Sequence, residues 1–112
     1  MGAMELDMLL NEVYRNMQSV FGNRLISVIL YGSYARGDYD QESDIDIAIL
    51  ADATRGELKK YHHELVSQMT HFMMEYGVLV SFTEIPVKDF EEYKDTLPYY
   101  RSIAEEGVRL RA

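Results

Sequence analysis

The segment from Tyr31 to Asp46 holds the side chains best suited to chemistry, and it joins two apolar runs. Asp44 and Asp46 are two positions apart, so on a β-strand both carboxylates project from the same face. Neighbouring carboxylates repel each other unless a cation lies between them, and their hard oxygens suit Mg²⁺ when phosphate oxygens supply further ligands. This pair therefore predicts a Mg²⁺ site.

A turn suited to binding an anion precedes the two carboxylates. Gly32 follows the apolar run 25–31, and its lack of a side chain lets a ligand approach the main chain. Ser33 can begin a short helix, whose first N–H groups have no intrahelical acceptor and would bind phosphate. If the two apolar runs are antiparallel neighbours, the turn meets Asp44 and Asp46. That combination suits phosphoryl or nucleotidyl transfer, in which a metal ion neutralises phosphate charge.

Helices and strands that could position this segment are visible in the apolar pattern. Three- and four-residue spacing predicts two long helices, over residues 6–21 and 58–73, and two short ones, over 87–95 and 98–107. Short apolar runs rich in β-branched residues predict three strands, over residues 25–31, 44–50 and 78–85. Strands separated by helices indicate an α/β fold with a small sheet packed with helices.

Composition restricts the classes of function. The 112 residues, 47% of them hydrophobic, predict one globular domain over residues 1–112. The chain has no cysteine, which excludes disulfides, thiol nucleophiles and thiolate zinc sites. A net charge of −8 repels polyanions, so we expect neither non-specific nucleic-acid binding nor membrane adhesion. The start of the sequence does not resemble a signal peptide and no apolar run approaches the ~20 residues of a membrane span, which predicts a cytoplasmic protein.

The segment resembles the signature of a known family. Gly32-Ser33, ten intervening residues and Asp44-x-Asp46 match the G-S-x10-D-x-D pattern of the minimal nucleotidyltransferases, the smallest members of the DNA polymerase beta superfamily. The local sequences Gly-Ser-x-Ala-Arg-Gly-Asp and Ser-Asp-Ile-Asp also resemble that family. The resemblance implies a nucleotidyltransferase fold, with a mixed sheet of three strands or slightly more.

Specific roles follow from this resemblance. It implies ATP or another nucleoside triphosphate as the donor, with Mg²⁺ bound by the catalytic residues Asp44 and Asp46. Gly32 and Ser33 would contact the triphosphate, and Arg36 would either steady the phosphates or pair with nearby carboxylates. Many small members of the family resemble antitoxins that are paired with a HEPN-type helical toxin, and some attach AMP to a toxin tyrosine. A protein acceptor and a HEPN-type partner are thus expected, while the oligomeric state, self-association included, stays open.

One feature of the superfamily is missing from its expected place. A third carboxylate normally comes from the strand after the long helix, where it completes metal binding and can accept a proton. Leu79 and Ser81 occupy the positions where we expect it, and Glu84 is the only acid inside that strand. Glu84 is therefore the candidate third metal ligand. Two functions remain open, an active nucleotidyltransferase and an antitoxin of little activity that occludes its partner.

Overall fold

The computed structural model describes residues 1–111 and contains six α-helices and four strands within that range. The helices are α1 (Ala3–Phe21), α2 (Ser33–Arg36), α3 (Arg55–Leu58), α4 (His62–Tyr76), α5 (Val87–Tyr93) and α6 (Pro98–Glu106). The strands are β1 (Leu25–Tyr31), β2 (Ile45–Ala51), β3 (Val80–Pro86) and β4 (Val108–Arg109). The predicted α/β architecture is confirmed.

The four strands form one mixed sheet in the order β3-β2-β1-β4. β1 is antiparallel to both β2 and β4, whereas β2 and β3 are parallel and are connected through α3 and α4. β4 was not predicted, because a strand of two residues has no periodicity that a sequence pattern could reveal. It pairs with Ile29 and Leu30 at the edge of the sheet.

Helices α1 and α4 cover one face of the sheet, which we call the helix face. The buried residues of α1 are Leu9, Val13, Met17 and Phe21, and their three- and four-residue spacing aligns them on one side of the helix. They pack against the strand side chains Ile45, Ile47 and Ile49 and against Phe72 of α4. This cluster is the larger of the two hydrophobic cores.

The second long helix differs from its prediction at its start. Thr54 forms a capping box with Glu57, in which each side chain accepts a hydrogen bond from the other residue's main chain. The resulting helix, α3, ends after one turn and a 3₁₀ turn at Lys59–Tyr61 leads into α4. Gly77 terminates α4 with a φ of 68°, so the helix extends to Tyr76, three residues beyond the predicted end of the apolar pattern at Met73.

Helices α5 and α6 cover only part of the opposite face. Their core comprises five buried residues, Ala48, Leu50, Ile85, Phe90 and Ile103. The part of this face near the start of β2 lies outside that core. It carries the polar side chains of Tyr31, Asp46 and Ser81, and we call it the open face. None of the helices formed by residues 1–111 combines the length and hydropathy needed to cross a bilayer.

Candidate active site

The antiparallel pairing of β1 and β2 joins the glycine-serine turn to the carboxylate pair. Tyr31, the last residue of β1, lies directly opposite Asp46. Gly32 follows with a φ of 72°, and a Cβ atom at this position would collide with the Oδ2 atom of Asp46. Gly32 is therefore required both by its backbone conformation and by the space that the carboxylate occupies.

The half-buried Ser33 opens α2, which is a single turn of four residues. The Gly37 N–H donates to the Ser33 carbonyl over 2.9 Å and closes this turn. A helix of this length has little macrodipole, and the N–H groups of Ala35 and Arg36 already donate to the Gly32 carbonyl. Any contribution to anion binding therefore comes from the first two N–H groups, those of Ser33 and Tyr34. The structure thus places the Gly32-Ser33 turn beside Asp46, and contact of its main chain with a triphosphate stays a prediction.

Asp44 is exposed just before β2 and Asp46 is half-buried on the strand. Burial raises the pKa of the Asp46 carboxyl, the negative charge of Asp44 raises it further, and Arg36 partly offsets both effects. A cation between the carboxylates would relieve their repulsion. Two carboxylates fit a Mg²⁺ ion that takes its other ligands from phosphate and water. Within residues 1–111 there is no group of three or more acidic, histidine or cysteine side chains placed to hold a metal ion.

Arg36 lies at the edge of this site and is engaged by two carboxylates. Its Nε donates to Asp38 over 3.2 Å and its Nη1 to Glu106 over 3.4 Å. All three side chains are exposed, so these ion pairs are weak and can exchange for a phosphate. The structure shows the ion pairing that the sequence offers as one of two roles for Arg36. Phosphate binding by Arg36 stays a prediction.

The structure does not bring Glu84 to the carboxylate pair. In the parallel pairing of β2 with β3, Asp46 is opposite Ser81 and Glu84 is opposite Ile49. Because side chains alternate along a strand, Glu84 projects from the helix face, three positions from the residue that faces Asp46. Burial raises the pKa of the Glu84 carboxyl, and His62 at the start of α4 lowers it. The prediction that Glu84 is a third metal ligand is therefore wrong, because the sheet lies between Glu84 and the carboxylate of Asp46.

Three hydroxyl groups complete the open face and were not assigned to the site from the sequence. Tyr31 shares its face with Asp46, and Thr83 follows Ser81 by two positions on that same face. The Tyr31 hydroxyl contacts the hydroxyls of Thr83 at 3.3 Å and of Tyr99 at 2.5 Å. Burial is the main cause that raises the pKa of Tyr31. Side chains alternate along β3, so the position of Ser81 could have indicated that Thr83 lies on the same face. No local pattern indicates Tyr99, because α6 brings it from far along the chain.

Solved structures of known proteins share this architecture. One, described as the crystal structure of a toxin-antitoxin with AMP-PNP, superimposes with a TM-score of 0.59 over 92% of this chain and 73% of its own, at 18% identity. A second, a mutant of the toxin-antitoxin MntA-HpeT, gives the same TM-score and coverage at 16% identity. At these identities the likeness shows a common fold.

Sequence relatives show the family. Two proteins from Methanocaldococcus jannaschii, each named a putative protein adenylyltransferase, are similar to this chain. One is 31% identical over 88% of this chain and 90% of its own length, and the other is 33% identical over 70% and 77%. The family model described as nucleotidyltransferase domain matches residues 10–110, which include every residue of the proposed site. Together with the glycine-serine turn beside Asp46, this match shows that the chain belongs to the nucleotidyltransferase domain family.

Proposed function

We propose that this chain is a Mg²⁺-dependent adenylyltransferase that transfers AMP from ATP to a hydroxyl group of a protein. We further propose that it is the antitoxin of a toxin-antitoxin pair and that a HEPN-type toxin is the acceptor. The observation that carries the proposal is the close approach of the Gly32-Ser33 turn to the Asp46 carboxylate on the open face, with the exposed Asp44 two positions earlier in the chain. The names of the relatives support a protein acceptor, and the structural neighbours support a toxin partner and an adenine nucleotide.

Each residue of the site has a distinct task in this reaction. Asp44 and Asp46 would hold Mg²⁺, and the main chain at Gly32 and Ser33 would hold triphosphate oxygens. Bound Mg²⁺ would neutralise the charge that develops on the transferred phosphoryl group and on the leaving pyrophosphate.

The nature of the acceptor follows from charge and exposure. A net charge of −8 opposes the approach of a nucleic acid, whereas a protein can supply its own complementary surface. Asp44 and Tyr99 are exposed, so the open face is accessible to a macromolecule. We propose that residues 1–112 act as one domain, and that the reaction takes place in the cytoplasm, where ATP is abundant.

A second candidate function is inhibition by occlusion with little catalysis. The observation that favours it is Ser81, which occupies the position opposite Asp46 on β3 where a third carboxylate would lie on the same face. Without that carboxylate the protein offers fewer ligands to a metal ion and no obvious base for the acceptor hydroxyl. An inactive chain could still bind its toxin partner through the same face.

Labelling of a partner separates the two functions. The chain is incubated with Mg²⁺, ATP labelled in its α-phosphate and a HEPN-type toxin, and label on the toxin is measured together with toxin activity. Asp46→Asn should reduce labelling by at least about 100-fold, which is the upper end of the loss when residues that support a metal site are changed. Asp52→Asn is the matched control, since Asp52 is exposed beyond the opposite end of the same strand.

The outcomes are distinct. Labelling by the wild type and by Asp52→Asn, but not by Asp46→Asn, supports the adenylyltransferase. Inhibition of the toxin by all three chains without any label contradicts transfer and supports occlusion. Equal labelling by the wild type and Asp46→Asn would show that the carboxylate pair is not the catalytic centre.

A further inference from the structure

The hydroxyl cluster of the open face consists of Tyr31, Thr83 and Tyr99, and the proposed transfer to a partner does not use it. The hydroxyl groups of Tyr31 and Tyr99 are 2.5 Å apart, and the Tyr99 hydroxyl is 3.5 Å from the Thr83 Oγ1 atom. The two tyrosine rings meet edge to face, with centroids 5.9 Å apart. The cluster therefore gathers two phenols and an aliphatic hydroxyl at one place.

This hydroxyl cluster adjoins the carboxylate pair. Tyr31 is the direct cross-strand neighbour of Asp46, and such neighbours on one face have Cβ atoms about 4.5–5.5 Å apart. Asp46 is also close enough to contribute to the raised pKa of Tyr31. Thr83 reaches the same area from β3, where it pairs with Ala48. A nucleotide held by the turn and the carboxylates would have these hydroxyl groups beside it.

Tyr99 differs from the other two members because its side chain is exposed. It lies in the first turn of α6, directly after Leu97 and Pro98, and these three residues are all exposed. Tyr99 itself is 49% exposed, whereas Tyr31 is half-buried within the strand and Thr83 is half-buried on β3. The Tyr99 phenol can therefore turn toward a bound nucleotide without disturbing the hydrophobic core.

We propose that Tyr99 is a site of self-adenylylation, modified within its own chain by the adenylyltransferase activity on which this inference rests. The phenolic oxygen attacks the α-phosphorus of ATP and forms a phosphodiester bond with AMP. The bond between the α-phosphorus and the bridging oxygen breaks, pyrophosphate leaves with the electron pair, and the phenolic proton passes to water. AMP attached to Tyr99 would occupy the open face and so compete with a partner for it.

Mass spectrometry of the whole chain after incubation with ATP and Mg²⁺ tests this proposal. The wild type should gain one AMP group, which fragmentation locates on Tyr99, and the rate constant should not depend on chain concentration. Tyr99→Phe should gain none. Tyr100→Phe is the matched control and should be modified like the wild type, because the Tyr100 hydroxyl accepts a hydrogen bond from Arg55 at 3.3 Å, outside the cluster.

A binding measurement provides a readout that does not depend on turnover. AMP-PNP with Mg²⁺ should protect Tyr99 from nitration by tetranitromethane and leave Tyr93, which is 40% exposed on α5, as reactive as before. AMP-PNP should bind Tyr99→Phe and the wild type with affinities within a few-fold of each other, since Tyr99 is the acceptor and not a nucleotide ligand.

Contrary results separate this inference from the proposed function. AMP located on any residue other than Tyr99, or a rate constant that rises with chain concentration, overturns modification of Tyr99 within the chain. An unmodified Tyr99 in a chain that binds AMP-PNP and labels a partner overturns the inference and leaves the proposed function standing. A chain that neither binds AMP-PNP nor labels any protein overturns both.

Discussion

The two faces of the sheet are built for different purposes. The helix face belongs to a cluster of fifteen buried residues, to which α1 and α4 contribute. On the other face, α5 and α6 enclose five buried residues and leave the region around Asp46 half-buried and polar. Burial of apolar surface is the main favourable contribution to folding, so the helix face supplies most of the stability.

A single strand serves both faces. In β2 the side chains of Ile45, Ile47 and Ile49 are fully buried on the helix face, while Asp46 between them projects onto the open face. The alternation of side chains along a strand makes this possible, because residues with opposite requirements can be sequence neighbours without sharing an environment. The comparison teaches that a carboxylate in this fold must lie on the correct face of its strand as well as on the correct strand.

The largest expected effect compares the same change on the two faces. Phe72→Ala should lower the free energy of unfolding by about 3–5 kcal/mol, because Phe72 is fully buried in the larger cluster. Phe90→Ala should cost less, since Phe90 is 6% exposed and lines a surface depression of about 310 Å³ that can adjust to the loss. Urea denaturation of both variants measures the difference. An equal or larger loss for Phe90→Ala would contradict the unequal division of stability.

The next effect concerns Gly32, where the open face is tightest. Gly32→Ala adds a methyl group that collides with the Asp46 carboxylate, and displacement of a reacting group by about 1 Å can cost about 100-fold in rate. Gly37→Ala is the control, because Gly37 also has a positive φ, of 85°, but a Cβ there meets nothing within 4 Å. Both variants should lose about 1–3 kcal/mol of stability from backbone strain. Adenylylation rates should fall sharply for Gly32→Ala alone, and parallel losses would refute the steric argument.

A third prediction compares the gain of a carboxylate on one face of β3 with the loss of a carboxylate on the other. Ser81→Asp adds a carboxylate opposite Asp46 and should lower the Mg²⁺ concentration for half-maximal activity by roughly tenfold. A change of that size is typical when one residue that supports a metal site is altered. Glu84→Gln removes the carboxylate of the helix face and should change that concentration by less than about twofold. Magnesium titrations of activity compare the two variants. A large loss in Glu84→Gln would restore Glu84 as a ligand.

The smallest effect is a dependence of stability on pH that arises far from the open face. A hydrogen bond from Arg24, at 2.9 Å, and another from the Thr54 main chain lower the pKa of Glu57 from 4.5 to about 2. A depressed carboxyl pKa stabilises the fold above about pH 4.5, and this contribution is lost as pH falls toward 2. Melting temperatures of Glu57→Gln should therefore fall less steeply than those of the wild type between these values. Added salt should shrink the difference, since both side chains are partly exposed.

Much of the fold could be predicted because its signals are local. The prediction for β1 coincides with the observed strand, Leu25–Tyr31, and α1 ends where the sequence places its stop, at Phe21 before Gly22. The two-residue spacing of Asp44 and Asp46 is a local signal of the same kind, and the structure places Asp46 on β2 and Asp44 just before that strand begins. The sequence supports antiparallel pairing of the first two strands only as a condition for the site, and the observed register confirms that pairing.

The sequence by itself determined the first helix, the three longer strands and the spacing of the glycine-serine turn and the two aspartates, because each depends on neighbours a few residues apart. Only the tertiary structure decided that Glu84 faces away from Asp46 and that Tyr99 joins Tyr31 and Thr83. The register between β2 and β3 depends on how α4 packs across the sheet, and the position of Tyr99 depends on where α6 crosses it. Such long-range contacts are selected by burial of the whole core, and no local pattern records them.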